Sequence, residues 1–295
     1  MINKQEDRNP GMLKKRLRKE AFFQFLMAAS AFLVLLSLVL ILAIILWKSL
    51  PALKLSMITR NPGSGYYLGR EGGILNAILG SLQVVFGATL LALTIALPAV
   101  VFLNSYLRRK SWLAEMIRFS LDVLWGIPSI VYGAFGFLIM ITLNLRASLL
   151  AGLITVAMVE LPILSRALDE TIKLVPSELK EATYSLGASR WQTATRVVLR
   201  QTFPGLVTAV LMAMGRGLGD AAAVLFTAGY TDKITTSLLQ PVATLPLAIF
   251  FQLNSPFPEV QQRAYASAAI LTILILLISL ASRSLSRRLS RHKIR

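Results

Sequence analysis

The sequence predicts an all-α, polytopic membrane protein with six transmembrane helices, and three observations support this. Hydrophobic residues make up 55% of the 295-residue chain, and the mean hydropathy is +0.66. The apolar residues form stretches long enough to cross a bilayer, which requires about 20 helical residues. Basic residues cluster beside alternate ends of these stretches, which is the distribution that keeps cationic loops in the cytoplasm.

The six spans are expected near residues 22–47, 75–103, 124–143, 148–167, 206–230 and 265–285. Residues 1–20 form a basic arm and residues 287–295 a basic tail, with a membrane domain over residues 21–286 between them. Both termini are therefore predicted to be cytoplasmic. The first span is longer than a signal-peptide core, so we expect it to be retained. A short apolar piece, residues 243–253, is too short to span and is expected to be interfacial or re-entrant.

Charge and residue types exclude several functions. A net charge of +17 would suit nucleic-acid binding, but the basic residues lie beside apolar stretches, which favours membrane lipid and no nucleic acid. The chain has no cysteine, and its one histidine, His292, lies in the basic tail, which excludes thiolate, iron–sulfur and His-dependent chemistry. No GxxxxGK(S/T) motif occurs, so the chain does not bind ATP through a P-loop. We predict no catalytic residue, no metal and no cofactor.

The longest interior stretch without a membrane-length apolar run is residues 176–205, PSELKEATYSLGASRWQTATRVVLRQTFPG. It predicts two short helices that meet at Gly187, because glycine best adopts the left-handed turn that ends a helix. Ser177 is expected to cap the first helix, and Ser189 and Gln192 to form a capping box at the start of the second. The basic residues and the tryptophan of this elbow suit docking to a soluble partner. They suit equally a cytoplasmic loop that lies on lipid headgroups.

Three charged residues fall inside predicted spans, where each costs about 2.5–3.5 kcal/mol at the helix centre. Arg216 and Asp220 are four residues apart, hence on one helix face, and are predicted to pair; Glu160, on another span, would be a further partner. Such a set either fixes helix packing or lines a pathway in which arginine binds an oxyanion through two hydrogen bonds. The cost of burying charge favours the pathway. Arg166, at the inner end of the fourth span, is either a snorkelling anchor or a second anion contact near the cytoplasmic exit.

The elbow resembles the EAA loop of ABC-importer permeases, a cytoplasmic element that seats in a groove of the ATPase subunit. The matching residues are Glu181-Ala182-Thr183, then Gly187, then Val197-Val198-Leu199. Two positions depart from the family pattern, since Thr183 replaces an alanine and Arg200 stands where proline is usual. The coupling residues implied by this resemblance are Glu178, Glu181, Ala182, Gly187 and Trp191.

Further motifs are similar to the phosphate-specific importer permeases of the PstA type. They comprise residues 108–115, Ile127-Pro128-Ser129-Ile130-Val131, the elbow, and residues 215–221, GRGLGDA. The similarity covers nearly all of the chain after residue 70 and implies a type I ABC importer permease fold. It also implies that Arg216, Asp220 and Arg166 take part in phosphate passage. The family usually has glutamate, threonine and proline where this chain has Asp220, an alanine and a second alanine.

The resemblance implies a multi-pass permease subunit in the plasma or inner membrane, without enzymatic activity of its own. The implied partners are a cytoplasmic ABC ATPase dimer, a second homologous permease subunit and an extracytoplasmic phosphate-binding protein. A permease for another solute fits the elbow equally well. A membrane scaffold or phosphate sensor that does not transport is the alternative from a different class.

Overall fold

The computed structural model describes residues 10–63, 72–108 and 111–289, with side chains from residue 14 onward. Within these ranges every regular element is a helix, which confirms the predicted all-α fold. Residues 1–9 of the basic arm and residues 290–295 of the basic tail, His292 among them, lie outside the described residues.

The helices follow one another along the chain with these bounds: α1 Pro10–Ser49, α2 Leu55–Thr59, α3 Leu75–Ser105, α4 Trp112–Gly126, α5 Ser129–Thr142, α6 Leu149–Lys173, α7 Ser177–Ser185, α8 Arg190–Gln192, a π-helix Thr193–Val198, α9 Leu199–Leu218, α10 Leu245–Leu253 and α11 Pro258–Leu289. Contacts divide the chain into two bodies, one ending at Lys48 and the other starting at Ser49. Among the residues that the structure describes, the first body consists of a long apolar helix, α1.

Five helical runs are long and apolar enough to cross a membrane, and a bent pair brings the number to six if it counts as one span. The five runs are Lys14–Ser49, Leu75–Ser105, Leu149–Lys173, Arg190–Leu218 and Pro258–Leu289. The bent pair is α4 and α5, whose axes differ by 96°. The break falls at Ile127 and Pro128, where proline disfavours a helical conformation in the residue before it.

The core of the second body is built on α3 and α6, which pack along most of their lengths. Ala88, Ala92 and Ala96 repeat every four residues on α3, and all three are buried. Small side chains at this spacing let two helix backbones approach closely within a membrane. Leu164 and Leu168 of α6 are fully buried in the same cluster.

The predicted fifth span, residues 206–230, is wrong at its second half. Helix α9 ends at Leu218, and residues 219–244 form turns without a regular helix. This connection is nevertheless buried: Val224, Thr227 and Ala228 have almost no exposed surface. Non-helical backbone is tolerated inside a membrane only where the protein itself supplies hydrogen-bonding partners.

Those partners come from distant parts of the chain. The Ser148 amide donates to the Thr227 carbonyl at 2.9 Å, and Asn76 Nδ2 donates to the Thr231 carbonyl at 2.7 Å. The connection leads into the short helix α10, in which Leu245 and Leu247 are fully buried. The apolar piece at 243–253 therefore packs its first half into the core, and its interfacial or re-entrant position in the membrane stays a prediction.

Candidate functional site

Arg216 lies in the last turn of α9, next to the point where the fifth span stops being helical. Its side chain is exposed, and the described part of the chain supplies no ion-pair partner for it. The carbonyl ends of a helix carry partial negative charge, so a cation in this turn is favoured by the helix dipole. An exposed arginine on a membrane-spanning helix requires water, an anion or a polar partner subunit beside it.

The predicted pairing of Arg216 with Asp220 is wrong, because Asp220 is not on the helix. It follows Gly219, the C-terminal cap of α9, and its Oδ1 accepts a hydrogen bond from the Ala223 amide at 3.0 Å. Aspartate commonly stabilises turns through such bonds to nearby backbone amides. Asp220 therefore shapes the start of the buried connection, while its carboxylate stays only partly buried near Arg216 along the chain.

Glu160 is fully buried at the middle of α6 and faces α9. A Cβ atom built on Gly217 would lie 2.0 Å from Glu160 Oε1 and 3.1 Å from Val85 Cγ2, so this contact requires glycine. Thr89 of α3 is the polar side chain beside the carboxyl group. Neither carboxylate oxygen has a hydrogen bond of good geometry within the described ranges, and no ion pair to Arg216 is present there. The sequence predicted Glu160 as a further partner of Arg216; the structure instead brings it against Gly217, the next residue.

Arg166 forms ion pairs that the sequence did not predict, and its role as lipid anchor or anion contact stays a prediction. Its Nε lies 2.8 Å from Asp122 Oδ1 on α4, and its Nη1 lies 3.7 Å from Asp169 Oδ2 one turn along α6. The guanidinium is therefore held between two carboxylates in the C-terminal parts of α4 and α6. Arg166 is not part of one site with Arg216 and Asp220 in this conformation.

Asp169 is the centre of this ion-pair cluster, and sequence reasoning missed it. The side chain is fully buried and accepts hydrogen bonds from Arg118 Nε at 3.0 Å and from Asn104 Nδ2 at 2.7 Å. Lys173 Nζ lies 2.7 Å away, four residues further along α6. A buried carboxylate with this many donors is fully compensated, so the cluster joins α3, α4 and α6 at one end. The spacing of Arg166, Asp169 and Lys173 on one helix face was the available signal.

The elbow has the predicted sharp turn but a different second half. Gly187 has φ +80°, the left-handed conformation expected for it. The capping box is confirmed, since the Gln192 amide donates to Ser189 Oγ at 3.2 Å and the Ser189 amide donates to Gln192 Oε1 at 2.9 Å. The second helix is not short, because α8, the π-helix and α9 form one helical run from Arg190 to Leu218.

The predicted cap at Ser177 is wrong. Pro176 holds the cap position of α7, without a side-chain hydrogen bond, and Ser177 is the first helical residue. Proline suits this entry into a helix because its φ is already fixed and it has no amide to leave unbonded.

The residues predicted to contact an ATPase are all on the surface of this chain. Glu178, Glu181 and Ala182 lie on α7 and are exposed, as is Trp191 after the turn. Among the described residues nothing lies within 4 Å of a Cβ atom built on Gly187, so the turn also faces open space. A convex, exposed helix–turn–helix of this kind is suited to fill a groove on another protein.

The described residues contain no group of three or more His, Cys, Asp or Glu side chains arranged to hold a metal ion.

The fold and these sites define a membrane transport subunit. It has a helical body with a cation on a spanning helix, and an exposed helical elbow at one end. The chain belongs to the family described as the binding-protein-dependent transport system inner membrane component, whose pattern it matches over residues 96–295.

Relatives and solved structures agree with this family assignment. The phosphate transport system permease protein PstA of Yersinia pestis is 37% identical over 212 residues, which cover 72% of this chain and 72% of that protein. The phosphate transport system permease protein PstA 1 of Mycobacterium tuberculosis H37Rv is 34% identical over 213 residues, or 72% and 68% of the two chains. A chain of the inward-facing MetNI methionine ABC transporter has a TM-score of 0.58 at 19% identity, covering 73% of this chain and 95% of that chain. A chain of a bacterial alginate ABC transporter has a TM-score of 0.56 at 15% identity, covering 95% and 100%. The predicted type I ABC importer permease fold is thereby confirmed.

Proposed function

We propose that this chain is the permease subunit of an ATP-driven importer and translocates inorganic phosphate across the inner membrane. The observation that carries the proposal is the exposed Arg216 at the end of a spanning helix, in a chain whose relatives are named phosphate transport permeases. Phosphate carries one to two negative charges at neutral pH, and a guanidinium binds such an oxyanion through two parallel hydrogen bonds.

Phosphate must also leave the site, so Arg216 should not hold it alone and tightly. Asp220 follows four residues later and carries the opposite charge, which lowers the affinity for the anion. Because Asp220 is bonded to the Ala223 amide, it contributes this charge from a fixed position and does not neutralise the arginine directly. Its carboxylate can also accept a hydrogen bond from the P–OH group of hydrogen phosphate, a donor that sulfate does not have at neutral pH.

Arg166 and Glu160 take indirect roles in this proposal. Arg166 lies in the ion-pair cluster with Asp122 and Asp169, and an anion reaching the inner end of α6 would compete with these carboxylates for it. Glu160 lies against Gly217 and holds α6 close to the arginine-bearing turn of α9. A change in the α6–α9 contact would therefore move Arg216.

The elbow is proposed to couple transport to a cytoplasmic ABC ATPase dimer, with Glu178, Glu181 and Ala182 on the contacting surface and Gly187 as the turn. The exposed side of Arg216 is proposed to face a second, homologous permease subunit, because one cation is a poor phosphate site and two subunits supply cations from both sides. An extracytoplasmic phosphate-binding protein would deliver the anion, and ATP hydrolysis would belong to the ATPase.

The test is ATP-dependent uptake of labelled phosphate by the complete complex in vesicles, with sulfate as competitor. Arg216→Gln should lower uptake about 100-fold or more, since it removes two charge-assisted hydrogen bonds worth about 1.5–3 kcal/mol each. Arg216→Lys should keep partial activity because a point charge replaces the fork. Arg283→Gln, near the C-terminal end of α11, is the control and should transport normally. Parent-level uptake by Arg216→Gln at normal complex yield would show that the pathway lies elsewhere.

A further inference from the structure

An apolar groove lies where the inner end of α3 meets the second half of the elbow. It forms a cavity of about 370 Å³, with Leu97, Val101 and Phe102 on the α3 side and Trp191 and Leu199 on the other. Phe102 and Trp191 are exposed within it. A cleft with these walls excludes polar ligands and favours a hydrocarbon chain.

A second cavity of about 520 Å³ adjoins the groove, since Thr195 and Leu199 line both. It presents Arg196, from the π-helix, and Arg200, from the first turn of α9. Both arginines are exposed, and within the described part of the chain neither forms an ion pair with an acidic residue. No acidic residue lines either cavity among the residues described. The site therefore combines a hydrocarbon groove with an uncompensated positive end.

The dimensions match one leaflet of a bilayer. Leu97 and Tyr106 are nine residues apart on the α3 side, about 13 Å along a helix. The hydrocarbon core of a membrane is about 30 Å thick, so this length is close to half of it. Tyr106 and Trp191 mark the far end of the groove, as aromatic residues do at membrane interfaces. Arg190 Nη1 donates to the Tyr106 carbonyl at 3.4 Å and ties the elbow to α3 at this end.

We propose that this site binds one anionic phospholipid of the leaflet next to the elbow, which is the cytoplasmic leaflet by the charge distribution of the chain. An acyl chain fills the groove, and the phosphate of the headgroup contacts Arg196 and Arg200. Free inorganic phosphate would use only the arginines and leave the groove empty. This assigns Trp191 to the lipid, leaving the α7 side of the elbow for the ATPase.

The lipid would stabilise the elbow at the π-helix, Thr193–Val198, whose hydrogen-bonding pattern departs from the α-helices on either side. Single π turns within helices are frequent at functional sites and have a looser hydrogen-bond ladder. Occupancy of the site should therefore favour one position of the elbow relative to α3. This binding does not depend on which solute the complex transports, so it can be tested independently of phosphate import.

The experiment uses the complete complex in nanodiscs, with Trp47, Trp112 and Trp125 of this chain replaced by phenylalanine so that Trp191 is its only reporter. Tryptophans of the partner subunits are replaced or subtracted with a Trp191→Phe complex. Brominated phosphatidylglycerol is titrated into unlabelled phosphatidylcholine. In a parallel titration, brominated phosphatidylcholine is titrated into the same unlabelled phosphatidylcholine. Each arginine near an anionic lipid contributes about fivefold in affinity, so phosphatidylglycerol should be preferred by about fivefold to thirtyfold.

Arg196→Ala with Arg200→Ala should abolish this preference, while Arg283→Ala with Arg288→Ala at the inner end of α11 should retain it. The double variant Arg196→Lys with Arg200→Lys keeps both charges and should retain most of the preference for phosphatidylglycerol. It replaces the alanine variant in the experiment if that variant assembles poorly. Equal quenching by both brominated lipids in the parent complex would overturn the proposal. Quenching in this chain alone that is absent from the complete complex would show that a partner subunit fills the groove. Competition by millimolar inorganic phosphate would show a site for the free anion.

Discussion

Arg118 of α4 and Asp169 of α6 form a buried ion pair, with Nε 3.0 Å from Oδ2 and Nη2 3.3 Å from Oδ1. Asp169 also accepts a hydrogen bond from Asn104 of α3 and forms an ion pair with Lys173 of its own helix. Three residues connect α6 to α7, the first half of the elbow, so this cluster fixes the end of the bundle to which the proposed ATPase contact is attached. Loosening it should affect both the stability of the fold and the transmission of elbow movement.

Replacing Asp169 by alanine should destabilise the protein by about 3 kcal/mol, because removal of one partner from a buried pair leaves the other charges uncompensated. Glu170→Ala is the matched control: this neighbour also contacts Lys173, but it is largely exposed and should cost less than about 1 kcal/mol. The measurement is the thermal unfolding of the purified complex followed by tryptophan fluorescence. Equal melting temperatures for the two variants would contradict a structural role for Asp169.

Gly187→Val should impair ATP-driven uptake through the backbone alone. The residue has φ +80°, and open space surrounds a Cβ atom at this position among the described residues, so a side chain there meets no clash. A left-handed conformation costs a β-branched residue about 1–2 kcal/mol, whereas asparagine adopts it readily. Gly187→Asn should therefore keep activity, and Glu181→Lys should lose it by reversing a charge on the proposed contact surface.

The readout is co-purification with the ATPase together with phosphate uptake in vesicles. Gly187→Asn and Gly187→Val both place a side chain at this turn, so only the conformational preference separates them. If valine couples as well as asparagine, the turn geometry is unimportant for the ATPase contact. If Glu181→Lys also binds the ATPase normally, the contact surface has been assigned to the wrong face.

Asp220→Asn should keep the turn after α9, because an amide oxygen can accept the hydrogen bond from the Ala223 amide. Asp220→Ala removes that acceptor from a partly buried site and should cost about 1–3 kcal/mol in stability. The two variants thus separate charge from structure. Uptake that falls in Asp220→Asn at unchanged thermal stability would assign the carboxylate charge to transport. If Asp220→Ala melts with the parent, the capping bond contributes little.

The sequence predicted those elements that are determined by residues close together in the chain. Hydropathy and charge bias located the spans, and the capping box and Gly187 were recognised because their partners are within four residues. The buried connection after Leu218 was predicted as helix because residues 221–228 are apolar, and hydropathy does not distinguish a helix from irregular backbone buried in protein. Hydrogen bonds to its backbone come from Asn76 and Ser148, which lie far away in the sequence.

The candidate site shows the same limit. Arg216 and Asp220 were found from their cost in a membrane, but their pairing failed because it assumed that the helix continues. The Asp169 cluster depends on Asn104 and Arg118, which are 65 and 51 residues away along the chain. No periodicity within one helix predicts that such residues meet.

The contact of Glu160 with Gly217 offers the most direct test of how α6 and α9 are packed. A methyl group on Gly217 would lie 2.0 Å from Glu160 Oε1, whereas among the described residues a methyl group on Gly215 would meet nothing within 4 Å. Gly217→Ala should therefore cost about 1–3 kcal/mol through overpacking. Gly215→Ala should be neutral or stabilising by up to about 1 kcal/mol, since alanine has a higher helix propensity than glycine. In a Glu160→Ala background Gly217→Ala should lose most of its penalty, because the clashing carboxyl is gone and only the closer contact with Val85 remains. Melting temperatures of the four variants measure this coupling, and equal penalties at the two glycines would place Glu160 away from α9. Uptake by Gly217→Ala should fall with its stability, because displacement of α9 moves Arg216, the preceding residue of the helix.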